Sequence, residues 1–216
     1  MISYFTAIFA LTISLADTAP TSSPVFPPRS TSESFRLVAN VTSGDLSPSI
    51  KDYVLTSYHI GAGQAYAVLT PNISSTTGRI FYQNGTAEDI RYRRSNVLSD
   101  GGEPLFPFGI VLNEDQSVSV NAGTGTTGVN LALFPDPISG LSAVGKEGFY
   151  ACEKTLLYGP AVQVFAKAYE EVTPEGCADV KLLAQCSDSS GAEHPYGATS
   201  GCYADVAGID WSVYSA

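Results

Sequence analysis

Basic side chains are scarce in this sequence: eleven Lys and Arg stand against 21 Asp and Glu, a net charge of −10 over 216 residues. A nucleic-acid partner needs a cationic face for its phosphates, and an anionic membrane surface attracts the same charge, so neither is expected. Charged residues of either sign reach only 15%, below the usual quarter. With 44% hydrophobic residues, the composition excludes a coiled coil, a collagen and a wholly disordered chain. Histidine occurs twice, Trp and Met once each. No internal repeat is visible, so a propeller or solenoid is not expected. In place of charge the chain carries 42 Ser and Thr.

The chain has one long uncharged apolar run, its first sixteen residues, M-I-S-Y-F-T-A-I-F-A-L-T-I-S-L-A. That is short for a bilayer span and fits a signal peptide, with Ser14 and Ala16 at the −3 and −1 places before cleavage. Export is also indicated by three N-x-[ST] sequons, at Asn40, Asn72 and Asn84, each a glycan acceptor in a secreted protein. Residues 17–34 are rich in Pro, Ser and Thr. Such a stretch buries too little surface to offset its ordering entropy, and it reads as a disordered spacer. The folded domain is expected over 35–216, with the mature protein outside the cell.

From Phe35 onward the apolar period is two. Phe35, Leu37, Ala39 and Val41 share one face, with Arg36, Asn40 and Thr42 on the other. Further strand runs are expected at 52–60 and 64–70 around Gly61-Ala62-Gly63, and at 105–112, 117–121, 148–153 and 178–184. Residues 79–83 and 86–93 flank Asn84-Gly85, a strong hairpin signal, which makes Asn84 a turn residue and a sequon at once. Residues 160–169 fit both a strand and a helical stripe, and the β-rich surroundings favour the strand. The fold expected is all-β: a single antiparallel β-sandwich or barrel-like domain, disulfide-stabilised in its C-terminal third.

Four cysteines, Cys152, Cys177, Cys186 and Cys202, all lie in the last third and allow three pairings. Cys152 ends one strand run and Cys177 starts another, which suits a cross-strand bridge. Cys186 and Cys202 would then close a fifteen-residue loop. Intervals of 24, 8 and 15 residues contain no C-x₂₋₄-C pair, so structural disulfides are expected and zinc is not.

Chemistry is thinly signalled. G-T-G-T-T-G at 123–128 matches the dinucleotide pattern in letters, but a strand and a turn follow it where the pyrophosphate would need a helix N-terminus. A flexible hairpin loop is the reading, and no cofactor or metal is expected. His59 reads as a strand histidine satisfied by a neighbour and His194 as a solvated loop residue. No G-x-S-x-G elbow accompanies them. The adjacent acids Glu88-Asp89, Glu114-Asp115 and Glu170-Glu171 point to opposite faces if they lie on strands, so none makes a facing carboxylate pair. Arg91 and Arg93 are expected on one solvent-facing strand face beside Arg94. Twelve Tyr and ten Phe supply either core or sugar-stacking platforms, and Trp211 either.

Together, F-R-L-V-A-N-V-T, Y-V-L-T-S-Y-H-I-G-A-G, F-Y-Q-N-G-T, G-F-Y-A-C-E and P-E-G-C-A-D-V-K-L-L resemble a family of small secreted proteins of filamentous fungi with no assigned activity. The resemblance covers roughly residues 35–185. It implies an exported β-sandwich-like domain with Cys152 and Cys177 as a shared pair, and it brings no catalytic residues. The expected function is therefore that of a secreted, non-enzymatic extracellular or cell-wall-associated monomer. Its expected partner is a polysaccharide or a host or wall protein. A carbohydrate-active protein, binding or hydrolysing polysaccharide, is the alternative.

Overall fold

The computed structural model describes residues 26–74, 77–132, 136–189 and 192–214. The expected signal peptide (1–16) and the first half of the expected spacer (17–25) lie outside the described residues. Fifteen strands follow in order: β1 (Ser30–Ser32), β2 (Ser34–Ser43), β3 (Val54–Gly61), β4 (Gln64–Thr70) and β5 (Phe81–Asn84), then β6 (Asn96–Gly101), β7 (Phe106–Leu112), β8 (Val118–Ala122), β9 (Val129–Leu131) and β10 (Leu141–Ala143), and finally β11 (Gly148–Leu156), β12 (Gly159–Lys167), β13 (Cys177–Ser187), β14 (Gly197–Ala198) and β15 (Ser200–Cys202). One short helix, α1 (Ala87–Arg91), and a 3₁₀ turn at Trp211–Tyr214 complete the elements of the described residues. The all-β antiparallel class matches the period-two reading, and 160–169 is a strand.

Eleven strands form one sheet in the order β12-β11-β13-β2-β3-β4-β8-β7-β6-β5-β14. Additional pairings β12–β4 and β2–β5 curl it into two closed circuits that share β2, β3 and β4. Closure removes most open edges, which otherwise invite association with other chains. Inward-facing side chains from both circuits, including Phe35, Leu37, Leu55, Leu69, Ile110, Val120, Phe149, Val164 and Leu182, form one core. Fully burying such a side chain contributes about 1.5–3 kcal/mol.

The other side of β2 is apolar too. Val38, Val54 and Leu183 make a second cluster with Tyr203, Val206 and Trp211 from the C-terminal segment. The Trp211 indole N–H donates to the Val206 carbonyl at 2.9 Å, and the Tyr203 hydroxyl accepts the Ser139 N–H at 2.9 Å. Trp211 is thus core. Here the structure corrects the expected domain start at Phe35: Ser30–Ser32 pairs with Ser200–Cys202, and the Phe26 ring stacks on Tyr214 at 5.6 Å. Residues 26–34 belong to the folded unit because the C-terminal segment supplies them with strand partners and apolar surface.

Both disulfides lie where the cysteine positions allowed them. Cys152 and Cys177 are a register pair across β11 and β13 with Cα atoms 4.4 Å apart. Cys186 joins Cys202 across 5.1 Å. In chain-entropy terms each closure contributes about 3 kcal/mol.

Two local expectations are overturned. Residues 86–93 are not a strand. Thr86 caps α1: its hydroxyl accepts the Asp89 N–H at 3.1 Å while the Asp89 carboxylate accepts the Thr86 N–H at 3.1 Å. This reciprocal box satisfies the exposed N–H groups of a first turn. Arg91 and Arg93 accordingly share no strand face. The 123–128 glycine run is likewise an ordered strap. Its Thr126 N–H donates to the Ile110 carbonyl, and the Thr126 hydroxyl accepts the Leu112 N–H. A Cβ placed on Gly109 would lie 2.2 Å from the Gly125 nitrogen, so the two backbones touch only because both residues are glycine.

Gly109→Ala is therefore expected to lower unfolding free energy by about 2–3 kcal/mol, read by urea denaturation. The paired change Cys186→Ser and Cys202→Ser should lower it by about 3 kcal/mol in the same measurement.

Candidate functional site

Tyr58 on β3 and Tyr66 on β4 stand directly opposite each other, and Tyr66 is in turn opposite Ser119 on β8. Leu55, Ala67, Leu69, Val118 and Val120 of the same strands point into the core, so alternation turns both tyrosines and Ser119 to the outer side. The β11–β12 turn leans over this row. Tyr158, 70% exposed, packs its ring 5.9 Å from that of Tyr58, and the Tyr58 hydroxyl accepts the Tyr158 N–H. Farther along the same side, Tyr150 stacks on Phe165 at 5.2 Å. Tyr66 also forms one wall of an open groove of about 460 Å³, with Gln64, Asn113, Asp115, Ser119 and Asn121 among its other walls.

The groove's polar groups are held from behind. The Asn121 Oδ1 accepts the Ala65 N–H at 3.1 Å, which turns its amide nitrogen outward. The Asn113 amide nitrogen donates to the Ser117 and Ser119 hydroxyls at 2.9 and 2.8 Å. Its carbonyl oxygen is left as an acceptor. One oxygen of Asp115 accepts both the N–H and the hydroxyl of Ser117. Ring faces beside fixed amides, hydroxyls and carboxylates can bind amphipathic, hydroxyl-rich ligands.

A second cluster lies on the outer side of β5 and β6, where the Cys186–Cys202 loop folds down. The His194 ring stacks on Tyr82 with centroids 3.6 Å apart. Its Nε2 lies 2.9 Å from the Asp100 Oδ2, with only 11% and 9% of the two side chains exposed. His194 is therefore a docked residue and not the solvated one expected from its loop position. Proline follows it and Gly197 closes a turn on its carbonyl, which aims the ring back at the sheet. The pairing resembles the base and orienting group of a catalytic triad. Among the described residues no hydroxyl or thiol bonds its other ring nitrogen; the ring stack and the Asp100 contact latch the loop to the sheet.

Beneath it, the Arg79 guanidinium donates to Ser57, Ser99 and the Asp100 carbonyl at 2.8–3.0 Å and lies 5.2 Å over the Phe108 ring. Burial draws the Arg79 pKa down, against the opposing pull of Asp100. Burial, reinforced by the Asp100 charge, pushes Tyr82 up to about 12.

The remaining sequence candidates are scattered. His59 is exposed on β3, and among the described residues no hydrogen bond or ion pair holds its ring. Asn72 is exposed, whereas Asn40 and Asn84 are half-buried on β2 and β5. The Asn84 amide faces Asn96 at 3.5 Å. Glu88 pairs with Arg94, Asp89 closes the α1 cap, and Glu171 caps the Ala168 N–H. Only Glu114-Asp115 reaches the groove. Tyr58, Tyr66, Tyr158 and the Tyr82–Asp100 pair were not singled out from sequence. A signal for the first two existed: each lies four residues from Ala62, so a hairpin centred there pairs them.

Residues 32–186 match the family described as "Domain of unknown function (DUF7907)". The chain belongs to this family. It is also 38% identical to the "Antigenic protein SchS34" of Stachybotrys chartarum over 216 aligned residues, covering 88% of this chain and 95% of that protein. The expected kinship with an uncharacterised fungal family is thereby established. No solved structure matches. The family match ends at Cys186, so the latch loop and the C-terminal cap lie beyond it.

The latch gives two expected outcomes. His194→Ala removes a ring stack and a buried polar contact and should cost about 2 kcal/mol, with faster amide exchange over 192–198. Neutral Tyr82 is favoured by folding, so its contribution is complete below pH 10 and is lost as pH rises through about 12. Wild type should lose more stability over that interval than Tyr82→Phe, as measured by urea unfolding.

Proposed function

We propose that this protein is secreted, is not an enzyme, and works outside the cell by binding, at the fungal wall or on a host surface. The observation that carries the reading is the tyrosine face displayed on a β platform that two disulfides lock. Such bridges persist in oxidising surroundings. The apolar leader, the sequons and the "antigenic" name printed for the Stachybotrys relative support export. Asn72, the exposed one of the three, is the sequon best placed to carry a glycan. Binding is favoured over hydrolysis. Glycoside cleavage needs two carboxyl groups facing across the substrate, whereas Glu114 and Asp115 are neighbours on one turn and Asp115 is tied to Ser117.

Expression with its own leader in a filamentous fungus tests this reading. The expected result is protein in the medium or wall fraction, its mass shortened by the first sixteen residues, and no sugar released from chitin, β-glucan, cellulose or xylan. Retention in the cell at full mass, or release of sugar, would overturn it.

A further inference from the structure

We infer that the groove formed by β4, β8 and the β7–β8 turn, with the tyrosine row leading into it, is a binding site for a neutral, unbranched hexose polymer. The inference deepens the binding reading above and rests on it. A pyranose ring has an apolar C–H face and a rim of hydroxyls, so it calls for a flat ring beneath it and amides beside it. The structure places those two elements together. Tyr158, Tyr58 and Tyr66 follow one another across the β11–β12 turn, β3 and β4, the first two with centroids 5.9 Å apart and the last two in direct register. This spacing is comparable to the width of a sugar ring, so successive residues of a chain can each meet one tyrosine.

At the far end of the row stand the groups that would read hydroxyls. The Asn121 amide nitrogen donates, the Asn113 carbonyl oxygen accepts, and the second Asp115 oxygen accepts. Each is already fixed, Asn121 by the Ala65 N–H, Asn113 by the Ser117 and Ser119 hydroxyls, and Asp115 by the N–H and hydroxyl of Ser117. Binding therefore costs little side-chain ordering, which is the usual penalty at such sites. The charge sets the class of chain. Glu114 and Asp115 line the groove of a protein with net charge −10, so a polyuronate or sulfated chain is repelled and a neutral one is not.

Titration calorimetry with cellohexaose, laminarihexaose and chitohexaose on the secreted, glycosylated protein tests the site. At least one should bind, and an oligogalacturonate of the same length should not. Tyr158→Ala and Tyr66→Ala should each weaken binding about ten-fold, the loss expected for one ring stack. Tyr169→Ala, which removes an equally accessible ring outside the groove, should leave it unchanged. Tyr158 is exposed enough that its replacement does not threaten folding, and unchanged thermal unfolding of that variant confirms it. If none of the three neutral hexaoses binds, or if binding survives both tyrosine changes, the site is wrong. An exported, wall-held protein that fails this test would keep the binding reading and lose the saccharide site. A protein retained in the cell would lose the binding reading itself.

Discussion

Nine residue pairs join β2 to β13, from Ser34 opposite Ser187 to Ser43 opposite Asp179, and the rest of the structure depends on that seam. Strand β2 belongs to both closed circuits, together with β3 and β4, so neither circuit can rearrange there without the other. Its faces are both apolar. Phe35, Leu37 and Ala39 point into the main core, and Val38 points the other way into the cluster completed by Tyr203, Val206 and Trp211. A strand buried on two sides has a strongly specified register, because a slip of one residue would exchange its two sets of neighbours.

The outer cluster also decides how much of the outer face stays open. The C-terminal segment covers the outer side of β2 and β13 and reaches Val54 at the start of β3. Four residues later, on the same side of β3, Tyr58 is only half-buried. The open tyrosine face begins where the cap stops. The cap in turn is held by the Cys186–Cys202 bridge and by the Tyr203 backbone, whose N–H and carbonyl bond to Ala184 and Cys186. The disulfide loop docks through His194 on the outer side of β5 and β6. One crosslink thus organises a cover on one surface and a latch on another.

Much of the fold was legible in local patterns. The strand runs read from the sequence placed β2, β3, β4, β7, β8, β11 and β13 within three residues at each end, because a half-buried strand must change sides at every step. The letters T-A-E-D also carry a capping box, but residues 86–93 were read only as the strand after the Asn84-Gly85 hairpin signal. The glycine run at 123–128 could not be interpreted from its own letters. The need for glycine at 125 comes from Gly109, sixteen residues earlier, and only the packed backbone shows the contact. His194 misled for a similar reason: its partners, Tyr82 and Asp100, lie about a hundred residues away.

The sequence by itself determined the β class, the inward residues of most strands, and the cysteines available for crosslinking. These follow from side-chain period and chemistry, which act over a few neighbouring residues. Only the tertiary structure decided that the sheet closes twice, that residues 26–34 join the domain, and that three tyrosines form a row beside a polar groove. Each depends on contacts between segments far apart in the chain, set by register and closure, which no local pattern encodes.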